Sequence, residues 1–297
     1  MIVLPPLPQG LVSQANFLTD QEQEQLWEAA LLMSESRGVM VRVAEMFGRQ
    51  VEAARTMVSG AGGRIIGSPW SGLEQKIQDT IEDVLWRSYS YATLGLDGAP
   101  AFMRPRQPRK NRLHKAVTTL SGMVSGFVGL PGVLVDIPFT TATILRSIAE
   151  VARDSGEDLA SEETRRACLE VLAFGGPGND DEQAEAGYWA ARVGASHLAI
   201  NVLVRSAAGQ FGFVLTQKLM TQTVPVAGAV AGGLLNYSFT DYYQSMARVH
   251  FCLRAIERRT GDPESVQHCF TEMLEAARER RKLKRNRRTK PPVLLPR

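Results

Sequence analysis

The chain is poor in the residues that most often carry chemistry. It has three cysteines, Cys168, Cys252 and Cys269, an odd number with no CxxC pair. That excludes a disulfide framework and implies reduced thiols in a cytoplasmic protein. Its four histidines, His114, His197, His250 and His268, are scattered and form no HxH, HxxxD or HExxH, so a zinc-peptidase reading falls away. His250 lies near Cys252 and His268 beside Cys269, but side chains one or two apart on a helix do not share a face, which argues against a four-ligand site. There is no GxSxG, no Walker motif and no paired strand signal. The glycines of residues 59–64 follow a helical pattern rather than a strand, so they are no dinucleotide fingerprint. Those of residues 175–178 form a turn cluster without the Lys-Ser/Thr pair of a phosphate cradle. No catalytic residue, metal ligand or cofactor is therefore assigned. The first residues, MIVLPPLPQGLVSQ, have no basic n-region and no small-residue cleavage site, which implies no secretory signal.

What is present is 297 residues with a hydrophobic fraction of 44%, enough for a sizeable core. The net charge of +3 hides an asymmetry: from Arg278 onward ten Lys or Arg face one Glu, leaving 24 of 34 basic and 30 of 31 acidic residues in the first 277. The basic surplus belongs to the tail.

Along the chain, residues 1–17 read as a proline-containing extension. Thr19 with Glu22 forms a capping box ahead of Leu26, Trp27, Ala30 and Leu31 at helical spacing, and a second helix is expected over 39–58. An amphipathic helix is expected over 71–94, with Leu73, Ile77, Ile81, Val84 and Leu85 on one face. Arg104, Arg106, Arg109, Lys110, Arg112 and Lys115 then precede residues 116–135, which carry no charge. This basic cluster reads either as a solvated linker or as a cytoplasmic-side anchor. Asp136 is expected to cap a helix with Pro138 in its first turn; Ser155-Gly156 ends it and Ser161 starts the next. Asp180 with Gln183 opens a helix through Val202, another covers 210–223, and residues 219–240 form a second uncharged run.

The two apolar runs echo each other at a displacement of one hundred residues. GVLVDIPFT at 132–140 and GGLLNYSFT at 232–240 share Gly, Leu, Phe and Thr, and Asp136 matches Asn236. One structural unit accounts for both: a small-residue segment, a polar stop, then an amphipathic helix. The stretch GLPGVLVDIPFTTATILRSIAEVARDSGED, the following CLEVLA helix, the Gly-Gly turn, VPVAGAVAGGLLNYSFTDYYQSMARVHF and LRAIERRTGD closely resemble the EcsC family of bacterial proteins over about residues 70–262. Members are similar to a protein encoded beside an ABC transporter. The resemblance implies a helical, cytoplasmic or membrane-associated protein and brings no catalytic residues with it.

The expected fold is all-α, a multi-helix bundle with two Gly-rich apolar hairpin-like segments. Its organisation is an extension at 1–17, a helical domain at 18–277 and a basic tail at 278–297. Asp136, Arg146, Glu150, Asn236 and Arg248 are the candidate ligand or structural cluster, with Arg146 and Glu150 at the i, i+4 spacing of a helix ion pair. Gly122, Gly126, Gly129, Gly132, Gly228, Gly232 and Gly233 are candidates for close packing or membrane contact. Arg280, Arg281, Lys282, Lys284, Arg285, Arg287 and Arg288 are candidates for contact with anionic lipid. Nucleic acid is not expected as a partner, because no aromatic residue follows Phe270. The expected role is a membrane-associated accessory protein at the inner face of the cytoplasmic membrane, partnered by lipid and by a transporter or other membrane protein. The alternative is a soluble helical enzyme or small-molecule-binding protein with a pocket between the Gly-rich segments.

Overall fold

The computed structural model describes residues 5–8, 10, 15–36, 79–85, 130–174, 200–209 and 225–289, with backbone alone for 130–138, 174, 225–236 and 287–289. All regular structure among the described residues is helical. The helices are α1 (20–36), α2 (79–85), α3 (Leu130–Asp154), α4 (Glu162–Phe174), α5 (200–209), α6 (Pro225–Thr260) and α7 (Pro263–Thr289). The expected helices at 39–58 and 210–223, the basic cluster at 104–115 and the turn at 175–178 lie outside the described residues, as does most of the uncharged run at 116–135.

Two compact units share the chain: residues 1–38 with 248–297, and residues 39–247. In the first, the expected capping box opens α1. The Thr19 N–H and hydroxyl donate to Glu22 Oε2 at 2.9 and 2.7 Å, and the Glu22 N–H returns to Thr19 Oγ1 at 3.4 Å. Leu26, Ala29, Ala30 and Met33 bury the face that follows, and Trp27 donates from Nε1 to the Pro5 carbonyl at 2.8 Å. Here α6 gives way to α7 at Gly261, whose φ of +68° is a left-handed value that favours glycine. Asp262 then caps α7 by accepting the Ser265 N–H at 3.1 Å, and Pro263 takes the first helical position, where its missing N–H costs nothing. Val266, Cys269, Phe270, Met273, Leu274 and Ala277 form the buried stripe of α7.

In the second unit the order of signals differs from expectation. The Asp136 cap is corrected: α3 is continuous from Leu130, so Asp136 and Pro138 are interior to it. Asn236 is likewise interior to α6, so neither echoed segment contains the polar stop. The physical reason is upstream. Pro131 is the second residue of α3 and Pro225 the first of α6, and a proline in the first turn is itself a start signal that precedes both polar residues. As expected, α3 ends at Ser155-Gly156. Gly156 has a φ of +85°, its N–H bonds the Arg153 carbonyl at 3.0 Å and the Glu157 N–H bonds the Ala152 carbonyl at 3.1 Å, a Schellman closure. Ser161 starts α4 by accepting the Thr164 N–H at 3.0 Å, and α4 packs on α3.

The core of this unit is built from helices that are buried almost all round. In α3, Ile144, Leu145, Ser147, Ile148, Ala149, Val151 and Ala152 are buried, and in α6 every residue from Tyr242 to Ala247 is buried. Ile81 and Leu85 of α2 and Leu203, Val204, Ala207 and Ala208 of α5 complete the described core.

Candidate functional site

Of the five residues grouped by the sequence, the structure brings two together. Arg146 and Glu150 lie one turn apart on α3, with Nε 3.8 Å from Oε1; the arginine is 33% exposed and the carboxylate 7%. That separation is beyond hydrogen-bond length, so this contact is an electrostatic pairing on a helix face rather than a proton-transfer geometry. Asp136 and Asn236 are helical in backbone, and their side chains lie outside the described residues. Arg248 falls in the first unit, while Arg146 and Glu150 belong to the second.

The glycines divide similarly. Gly132 is in the first turn of α3 and Gly228, Gly232 and Gly233 are in α6, whereas Gly122, Gly126 and Gly129 lie outside the described residues. A glycine in a helix interior costs about 1 kcal/mol relative to alanine.

The basic residues have the clearest geometry. The buried stripe of α7 stops at Ala277, yet the helix continues to Thr289. Arg280, Lys282, Lys284 and Arg285 are exposed on this extension, while Arg281 is half-buried and donates from its guanidinium to the Ser34 carbonyl. Lys282 Nζ donates to Glu279 at 2.8 Å. Arg287 and Arg288 continue the helical backbone. Leu283, 60% exposed, is the one large apolar side chain in residues 278–286. Among residues 278–286 this helix end therefore presents charge around its circumference and no apolar face.

Sequence reasoning missed a contact in the first unit. Glu22, already the capping residue of α1, also pairs with the Arg259 guanidinium, 237 residues away. Burial pushes the Glu22 carboxyl upward, but hydrogen bonds from the Thr19 N–H and hydroxyl, then Arg259, outweigh it and hold it below the usual glutamate value. A folded-state value below the unfolded one stabilises above the unfolded value, and the stability is lost as pH falls through the folded value. Glu22→Gln, which can still cap, is thus expected to cost about 1 kcal/mol near neutral pH. Urea unfolding of both proteins at several pH values should show the gap closing below the ordinary glutamate range. A gap that persists there would show that charge is not its origin.

Two of the three thiols are held in their neutral form. Burial, then the Glu28 carboxylate, pushes Cys252 up to about 11, and burial, then Glu272, does the same to Cys269. Cys252 instead lies with Sγ 3.8 Å from the Gln25 carbonyl. In the second unit, both amide atoms of Gln244 and the hydroxyl of Thr140 are buried without a hydrogen-bond partner. The sequence had marked only the apolar character of these neighbourhoods. Among the described residues, no group of three or more His, Cys, Asp or Glu could hold a metal ion, and no helix is long and apolar enough to cross a membrane.

The model of the EcsC protein family matches residues 13–256. The chain belongs to the EcsC family. The match starts well before the expected residue 70, so α1 and its capping box are part of the family region, and the basic end of α7 lies beyond it. No curated protein and no solved structure gives a significant match to this EcsC-family chain.

Proposed function

We propose that this chain is a membrane-associated accessory protein. It docks on anionic lipid at the inner face of the cytoplasmic membrane through the basic end of α7, in support of a transporter or envelope process. The observation that carries this reading is the exposure of Arg280, Lys282, Lys284 and Arg285 on a helix that has run past its own buried stripe. Each basic side chain near an anionic leaflet adds about 1 kcal/mol, so four together amount to several-hundred-fold in affinity, on the order of what holds a peripheral protein. Lys282 is also paired with Glu279. The attraction falls as added salt shortens the Debye length. The alternative, a ligand pocket lined by Asp136 and Arg146, asks Arg146 to turn from the Glu150 carboxylate beside it.

The test is co-sedimentation of the full-length chain with phosphatidylcholine vesicles containing phosphatidylglycerol, at low ionic strength. The variant R280Q/K282Q/K284Q/R285Q is expected to bind roughly a hundredfold or more weakly, with its helix content unchanged by circular dichroism. Equal binding by both proteins, or none by the wild type, would overturn the reading.

A further inference from the structure

The buried Trp27 of α1 finds its hydrogen-bond partner outside the helices. Its Nε1–H donates to the Pro5 carbonyl at 2.8 Å, and the residue is only 3% exposed. A buried indole N–H ordinarily takes some acceptor, so the bond alone decides nothing. What supplies the acceptor is more informative. Residues 5–8 read Pro-Pro-Leu-Pro. The pyrrolidine ring fixes φ near −65° at Pro5, Pro6 and Pro8, while Pro5 and Leu7 each precede a proline, which keeps them out of the helical region. The segment is thereby preset to the polyproline II conformation, and its four residues lie in no helix, strand or turn. That conformation makes no internal hydrogen bonds, so its carbonyls are open to a donor from outside. Pro5 and Leu7 are half-buried while Pro6 and Pro8 are exposed, so the segment lies along the surface of the first unit.

We infer that the Trp27 face of α1 is a docking site for a proline-rich extended segment of a partner protein, filled in this structure by the chain's own residues 5–8. An aromatic side chain that meets a preformed polyproline II segment is a general means of binding such segments, because little conformational entropy is left to lose. The chain's own segment is lightly held. One neutral hydrogen bond is worth about tenfold in an equilibrium, and two of the four side chains stay in water. Its hold comes from the covalent tether, which sets an effective concentration on the order of 1 mM. A partner segment that makes a few more contacts therefore displaces it. The occupant is a proline-rich segment rather than an amphipathic helix, since the site already holds the first and gives its donor to a main-chain carbonyl that a helix would keep for itself. Donor and acceptor also fall on different sides of the family boundary: Trp27 lies within residues 13–256 and Pro5 before them. The inference is independent of the lipid reading.

The test is fluorescence anisotropy of a labelled peptide with the sequence of residues 3–10, VLPPLPQG, added to the full-length chain. In P5S/P6S/P8S the chain's own segment loses its preset conformation, so the peptide is expected to bind this variant about tenfold more tightly than wild type, where the tether competes. W27F keeps a ring and removes the donor; added to P5S/P6S/P8S, it is expected to weaken the peptide about tenfold. Two further peptides decide what the site recognises. VLAALAQG, with alanine for each proline, is expected to bind about tenfold more weakly, and TAPPAPSG, an unrelated sequence with the same three prolines, is expected to bind comparably to VLPPLPQG. Equal binding of the proline and alanine peptides, equal binding with and without the indole, or no binding at all would sink the docking site. Binding by VLPPLPQG without TAPPAPSG would show a strap that serves this chain alone and overturn the partner. If circular dichroism shows P5S/P6S/P8S unfolded, the three peptides titrated into wild type above about 1 mM make the same comparison.

Discussion

Phe270→Ala is expected to destabilise the unit of residues 1–38 and 248–297 by about 3–5 kcal/mol, among the largest effects of any single substitution in this chain. Phe270 is fully buried at the middle of the α7 stripe, between Val266 and Leu274, so truncation removes an aromatic side chain and leaves a cavity that its backbone neighbours fill only in part. The Glu22–Arg259 pair, with the arginine about half exposed, and the Arg281 bond to Ser34 add to this apolar core. Hydrogen exchange followed by mass spectrometry is the decisive measurement. Protection should fall first in 20–36 and 263–277, and a loss below about 1 kcal/mol in urea unfolding would show that the ring is not a core element.

Tyr243→Ala is expected to cost a similar amount, about 4 kcal/mol, in the unit of residues 39–247. The side chain is fully buried and meets Tyr242 edge-on, with ring centroids 5.7 Å apart and planes at 78°. Such an edge-to-face pair adds about 0.5–1.5 kcal/mol beyond the area it buries. Burial, then the neighbouring Tyr242, also pushes the Tyr243 hydroxyl far above its ordinary value, so the ring stays neutral across the accessible range. Here exchange should rise first in 139–152 and 162–174 while 263–277 keeps its protection. Loss of protection in 263–277 before 139–152 would contradict the division at residues 247–248.

How far the sequence could be read depended on the range of the interaction. The Thr19–Glu22 box, the Gly156 closure and the Ser161 cap are chemistry between residues no more than five apart, and all three are where local rules put them. Where two local signals competed, the reading failed: Pro131 and Pro225 begin their helices, and the better-known caps Asp136 and Asn236 became interior residues. Partners far apart in sequence left no trace. Nothing around Glu22 points to Arg259, and nothing in the basic run singles out Arg281 as the residue that reaches Ser34. Of the candidate cluster of five, Arg146 and Glu150, whose spacing alone made them neighbours, are the pair seen together among the described side chains.

By itself the sequence determined the helical class, the EcsC membership, the start of α1, the turn between α3 and α4 and the concentration of positive charge at one end, because each is a local or compositional property. The tertiary structure decided which face of each helix meets water. Phe139 and Phe239 occupy matching places in nearly the same sequence pattern, yet one is exposed and the other buried. A side chain's hydration is set by what packs against its helix, and that depends on segments distant along the chain. The tertiary structure also decided that the chain's two ends share a unit, since the contacts that join them span more than two hundred residues.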